Sequence, residues 1–201
     1  MRTAIVVCLM SAAFTVSAPR VEAGDEAMIR VRLYDYAGIS DKTLADTQRL
    51  IANFYTPMGV TIDWASTFRP HRKGGPDHGR LQDFTINILN RSMAARTNWP
   101  PDALGSAVVS REGEGTIAYV LFDRLKAAAV AAHWSVEDLL ALVVAHELGH
   151  LLLPPGSHSE GLMRGGWDVS ELRRMHLDSL AFTPDHMALI RERLSHMVAA
   201  Q

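Results

Sequence analysis

His146-Glu147-Leu148-Gly149-His150 sets two imidazoles four positions apart around a carboxylate. On an α-helix, positions i and i+4 lie one turn apart on one face, so both rings can bind a single zinc ion. Glu147 is turned only about 100° from His146, which puts its carboxylate beside the metal without requiring it to be a ligand. From there it can take a proton from zinc-bound water, whose pKa the metal lowers toward ~7. A catalytic zinc usually takes three protein ligands and keeps one position open. The first candidate for the third is His158. Pro154 disfavours a helical Leu153 and Gly156 permits a sharp reversal, so the chain should leave the helix just past His150 and swing His158 back. Its main rival is Glu171 on the following helix, which would make a gluzincin-like site, and Glu160 and Asp168 are weaker alternatives.

The element that must carry this motif is a helix over Val136 to about Leu152, capped by Ser135 with Asp138 three residues on. Its stretch Leu139 to Ala145 has no polar side chain, which marks a core helix. Three polar residues in such a helix are costly unless they are satisfied, and a metal satisfies them.

Upstream, strands and helices alternate. Met28 to Tyr36 alternates apolar with polar residues and reads as a strand. A helix follows over Asp41 to Tyr55, capped by Ser40 or Asp41, then strands at Val60 to Trp64 and Phe84 to Leu89. Between the last two, Phe68 to Arg80 is rich in Gly and Pro and reads as a loop. His71, Asp77 and His78 in it could hold a second ion, though a solvated loop is the simpler reading. Leu104 to Ser110 and Thr116 to Phe122 flank a glycine-bearing turn and suggest a hairpin. Helices are expected at Ala127 to Trp134, Ser170 to Leu180 and Pro184 to Val198, the last capped by Thr183. His133, His176, His186 and His196 read as surface or half-buried helix residues. Asn90-Arg91-Ser92 has the form of a glycosylation sequon, within or beside a strand.

His146-Glu147-x-x-His150, a short turn, a third His, then Glu160-Gly161-Leu162-Met163 resembles the metzincin clan of zinc peptidases, in particular small exported bacterial members. The loop to the third His is longer by two residues than the usual pattern, since Leu153 and Gly156 stand where that pattern has Gly and His. The resemblance implies an α+β, zincin-like fold: a mixed N-terminal β-sheet with helices, an active-site helix and a small, mostly helical C-terminal subdomain. It also implies that Met163 is the Met-turn methionine beneath the metal. The strand upstream of the active-site helix, within Leu104 to Val120, would form the cleft rim and hold a peptide or protein substrate by β-augmentation. Glu147 would activate water and then protonate the leaving amine. Arg164 and Trp167 follow Met163 closely and could line the substrate pocket.

Composition narrows the rest. The 201 residues carry 20 Lys and Arg against 22 Asp and Glu, a formal charge of −2, so the basic footprint of a nucleic-acid binder is missing. Residues 1–23 read as a signal peptide: Arg2 is the basic start, Ala4 to Val16 the apolar stretch, and Ala18 or Ala23 the cleavage position. The stretch is too short for stable membrane insertion, which points to a secreted or periplasmic protein. Cleavage removes Cys8, the only cysteine, so thiolate ligands and cysteine nucleophiles are excluded together. Residues 24–201 then form one domain. The two function classes are a secreted zinc endopeptidase and a zincin-fold protein that binds metal without hydrolysis. An intact Glu147 favours the first, because a pure metal site has no need of it.

Overall fold

The computed structural model describes residues 27–65 and 82–199. The expected signal segment with Cys8, and the loop carrying His71, Asp77 and His78, lie outside the described residues. Five strands form one mixed sheet: β1 (Ala27–Asp35), β2 (Val60–Ala65), β3 (Gln82–Leu89), β4 (Gly105–Val108) and β5 (Ile117–Leu121), in the order β2-β1-β3-β5-β4. The first four in that order run parallel, and β4 at the edge runs antiparallel to β5. Alternation fixes the register. Ile29 and Val31 are fully buried, while Arg30 and Arg32 between them reach across to Asp63 and Asp83 at 2.8 Å on the other face.

The helices are α1 (Asp41–Tyr55), α2 (Arg91–Ala94), α3 (Phe122–Ala132), α4 (Val136–Leu152), α5 (Val169–Leu172) and α6 (Pro184–Ala199). The Ser40 side chain accepts from the Thr43 amide at the start of α1, and Ser135 does the same for Asp138 at the start of α4. Gly59 ends the first helical unit at φ +72, a conformation a Cβ would strain. Helix α4 is the centre of the molecule. From Leu139 to Leu152 every residue but His150 is buried, enclosed by the sheet, α1, α3 and α6. No helix among the described residues is long and apolar enough to cross a membrane.

Two expectations need correction. The expected helix over Ala127 to Trp134 begins five residues earlier, at Phe122, directly off β5. It ends where His133 takes a left-handed φ of 63. The helix expected over Ser170 to Leu180 is broken into the single turn α5 and a 3-10 turn at Leu177–Ser179. Arg174 and Met175 donate to carbonyls three residues back instead of four, and the Leu172 carbonyl also accepts the Trp134 indole N–H at 2.7 Å. Tertiary partners have taken the groups a longer helix would use internally. The sequon asparagine, Asn90, caps α2: its carbonyl oxygen accepts from the Met93 amide and its amide group donates to the Tyr36 carbonyl.

Candidate metal centre and cleft

Both motif imidazoles project from the last turns of α4. The His146 Nδ1 lies 2.8 Å from the Leu162 carbonyl, which can only accept, so this nitrogen carries the proton and Nε2 presents a bare lone pair. The chain leaves α4 at Leu153 in extended backbone and turns at Gly156, φ +79, as the Pro154 and Gly156 pattern requires. His158 then returns over the helix end. Its Nε2 is 3.0 Å from the His150 Nε2, which is itself 3.0 Å from the His146 Nε2. The candidate ligand atoms of the three residues all lie within 4.8 Å of one another, the one such cluster among the described residues.

These contacts are not a self-sufficient hydrogen-bond network. A ring nitrogen donates or accepts, never both, so at most one of the two contacts at His150 can be a well-directed hydrogen bond. Protonating the two rings on α4 is no remedy. Burial holds His146 down to about 4 from an ordinary 6.5, against the pull of its Leu162 bond; burial and the neighbouring imidazoles hold His150 at about 4 as well. Neutral imidazoles with converging lone pairs fit a soft-to-borderline cation. A tetrahedral zinc would need its nitrogens about 3.3–3.4 Å apart, a small outward adjustment.

Glu147 is buried on the side of the helix that faces β4. Its carboxylate accepts from the Ala107 backbone and packs on Gly105, where an added Cβ would sit 2.6 Å from Oε1. Gly105 is therefore bare so that the carboxylate can lie against the edge strand. Burial pushes this carboxyl up to about 8, the Ala107 bond opposing. Met163 is fully buried, and its sulfur would be 2.5 Å from a Cβ at Gly149, which explains the glycine inside the motif. The Tyr55 hydroxyl, also buried, donates to the Ala145 carbonyl at 2.9 Å and pins α4 one residue before His146.

The return loop is braced from two sides. The Ser159 amide donates to the Met163 carbonyl, and the Leu162 amide donates to the Ala181 carbonyl. On the other side Pro155 packs on Gly113 in the β4–β5 turn, whose carbonyl accepts from Arg193 of α6. None of Tyr55, Gly105 or Arg193 was recognisable beforehand. Only the glycine of the motif carried a signal, since glycine in a helix interior costs about 1 kcal/mol and calls for a packing reason.

Glu171 is not in the cluster. Its carboxylate pairs with Arg164 and accepts from the Asp168 amide, while Asp168 accepts from the Glu171 amide, a reciprocal cap on α5. Glu160 is exposed. Trp167 lines the cleft, its ring 5.0 Å from that of His146, whereas Arg164 is turned to Glu171 and lies outside the lining. His186 is buried, not half-exposed, with Nε2 3.4 Å from the Ser159 hydroxyl. The cleft itself holds about 500 Å³ and runs between β4 and the return loop, with the imidazoles and Glu147 on its floor.

No family model matches this sequence, and no curated protein matches it. Among solved structures it is similar to archaemetzincin from Methanopyrus kandleri, at 15% identity over 88% of this chain and 99% of that one, with a TM-score of 0.49. It is also similar to metalloproteinase-II from Bacteroides fragilis, at 13% identity over 87% of this chain, with a TM-score of 0.50. The fold is that of a zincin-like metalloproteinase. The chain spans 55% of the Bacteroides protein's length, and at this identity the likeness is one of architecture alone.

The site makes a pH prediction for protein stripped of divalent cations. His146 and His150 have folded pKa values below their unfolded ones, so their contribution is present above about 6.5 and lost as pH falls toward 4. Glu147 has the opposite sign: its folded value of about 8 exceeds the ordinary 4.5, so its contribution is complete below that and lost as pH rises through 8. Glu147→Gln imitates the protonated carboxyl. In urea titrations it should match the parent chain near pH 5 and exceed it progressively up to pH 8.5. A difference that does not change with pH would contradict the burial assigned to Glu147.

Proposed function

We propose that the chain is a zinc-dependent endopeptidase. The observation that carries this is the convergence of three imidazole side chains beside a buried glutamate, on the floor of a cleft bounded by β4, the edge strand of the sheet. His146, His150 and His158 would hold the ion, and Met163, packed against Gly149, would be the Met-turn methionine. When bound, zinc supplies Lewis acidity at the scissile carbonyl and lowers the pKa of water. The β4 edge orients the peptide through backbone hydrogen bonds, as a sixth strand of the sheet. Burial makes Glu147 a stronger base than a solvated glutamate, and a neighbouring dication favours its ionised form. It takes the proton of the attacking water as the O–C bond forms, then delivers it to the amine nitrogen as the C–N bond breaks. Trp167 lines the cleft beside the site of these transfers.

The test is hydrolysis of an unfolded protein substrate. Cleavage should vanish on chelation and return with added Zn²⁺. No cleavage by fully zinc-loaded protein would favour the second reading, a metal-binding zincin without hydrolysis.

Export belongs to the same proposal, on the strength of the 1–23 segment. N-terminal sequencing of protein recovered outside the cytoplasm should begin at Pro19 or Gly24. An intact Met1 on that material would refute the cleavage.

A further inference from the structure

The walls of the cleft differ in charge along their length. Leaving aside the three imidazoles, its lining contains two ionisable side chains, Glu147 and Asp102. Glu147 is buried against β4 on the floor. Asp102 is exposed, at the end of the cleft where the chain enters β4. The opposite end is closed by Val109, Pro154 and Pro155, which are apolar.

The backbone that carries Asp102 is braced. It follows Trp99-Pro100-Pro101, where two prolines limit the backbone. Arg124 of α3 donates to the carbonyls on either side of it, to Pro100 at 2.5 Å and to Ala103 at 3.2 Å. The Ala103 amide closes a turn onto Pro100, and the Leu104 carbonyl accepts from the Leu121 amide, which joins the segment to the sheet. Arg124 is thus bound to backbone oxygens, and among the described residues Asp102 makes no ion pair. A carboxylate on a braced rim, facing a substrate cleft and lacking a cation of its own, is suited to receive one from the substrate.

We propose that Asp102 is a specificity-determining residue that receives a lysine or arginine side chain of the bound peptide. A peptide added to β4 in the commoner, antiparallel sense would run its N-terminal residues past Val109 and its C-terminal residues toward Asp102. The basic residue therefore lies on the C-terminal side of the scissile bond, with an apolar residue favoured on the other side.

This rests on the peptidase reading, so the test measures binding apart from turnover. Zinc-loaded Glu147→Gln protein is titrated with two fluorescent peptides that differ only in lysine against norleucine at that position. The lysine peptide should bind about fivefold more tightly at low salt, the size expected of a partly exposed ion pair, and less so at high salt. Adding Asp102→Asn should remove the preference, and Asp102→Lys should transfer it to a glutamate peptide. A preference that survives both changes, or no preference from the start, overturns the assignment. In parallel, a peptide-library digest with the unaltered protein reads the peptidase function. The lysine preference without any cleavage leaves Asp102 in place and removes the peptidase reading. Cleavage without the preference does the reverse.

Discussion

Glu147→Gln should lower peptide hydrolysis by about 10²–10⁴-fold while leaving one zinc per chain. The carboxylate is buried against Gly105 and accepts from Ala107, so the amide can occupy the same space with its carbonyl on the same donor. What it cannot do is hold the proton between the attack of water and the departure of the amine. Metal content is predicted to be unchanged because the three candidate ligands reach one another without Glu147. Equal rates for the two proteins, at equal zinc content, would end the catalytic assignment. Equal loss of zinc and activity would instead make Glu147 part of the metal site.

His158→Ala should abolish near-stoichiometric zinc binding, and Glu171→Ala should not. His158 is the exposed member of the cluster and sits on a loop outside the helix, so its removal leaves the core intact. Two imidazoles on α4 would remain, too few for a closed three-ligand site. Thermal melts give an independent reading. Zinc at a hundredfold excess over its Kd stabilises a folded chain by about 2.7 kcal/mol, and that increment should disappear in His158→Ala alone. Glu171→Ala should lose only the cap of a four-residue helix and the pair with Arg164, about 1 kcal/mol without effect on zinc. If the melts of Glu171→Ala lost their zinc dependence, the gluzincin-like arrangement would have to be restored.

The extent of what could be read beforehand follows a physical line. Helices α1 and α4 were predicted with their ends because local chemistry sets both termini: a serine cap at the start, and Gly or Pro near the exit. The β4–β5 hairpin was visible for the same reason, from two apolar runs around a glycine-bearing turn. The segment Ser170 to Leu180 was not. There the Leu172 carbonyl accepts from Trp134 and Arg173 donates to the Ala131 carbonyl, and helix propensity lost to those contacts with distant segments.

Sequence by itself determined the chemistry available: two imidazoles on one helical face, a glutamate between them and a third histidine past a turn. These follow from residue type and short-range spacing, which the helical repeat turns into geometry. Tertiary structure decided between His158 and Glu171 at the cluster, and between Trp167 and Arg164 at the cleft wall. Each of those choices depends on which partner a side chain meets across the fold. Arg164 meets Glu171, and the two are withdrawn from the site together. Among the described residues Asp102 makes no ion pair, and Arg124 is held by the Pro100 and Ala103 carbonyls just before β4. The contacts of Arg124 join residues 24 and 21 positions apart, and local spacing carries no record of them.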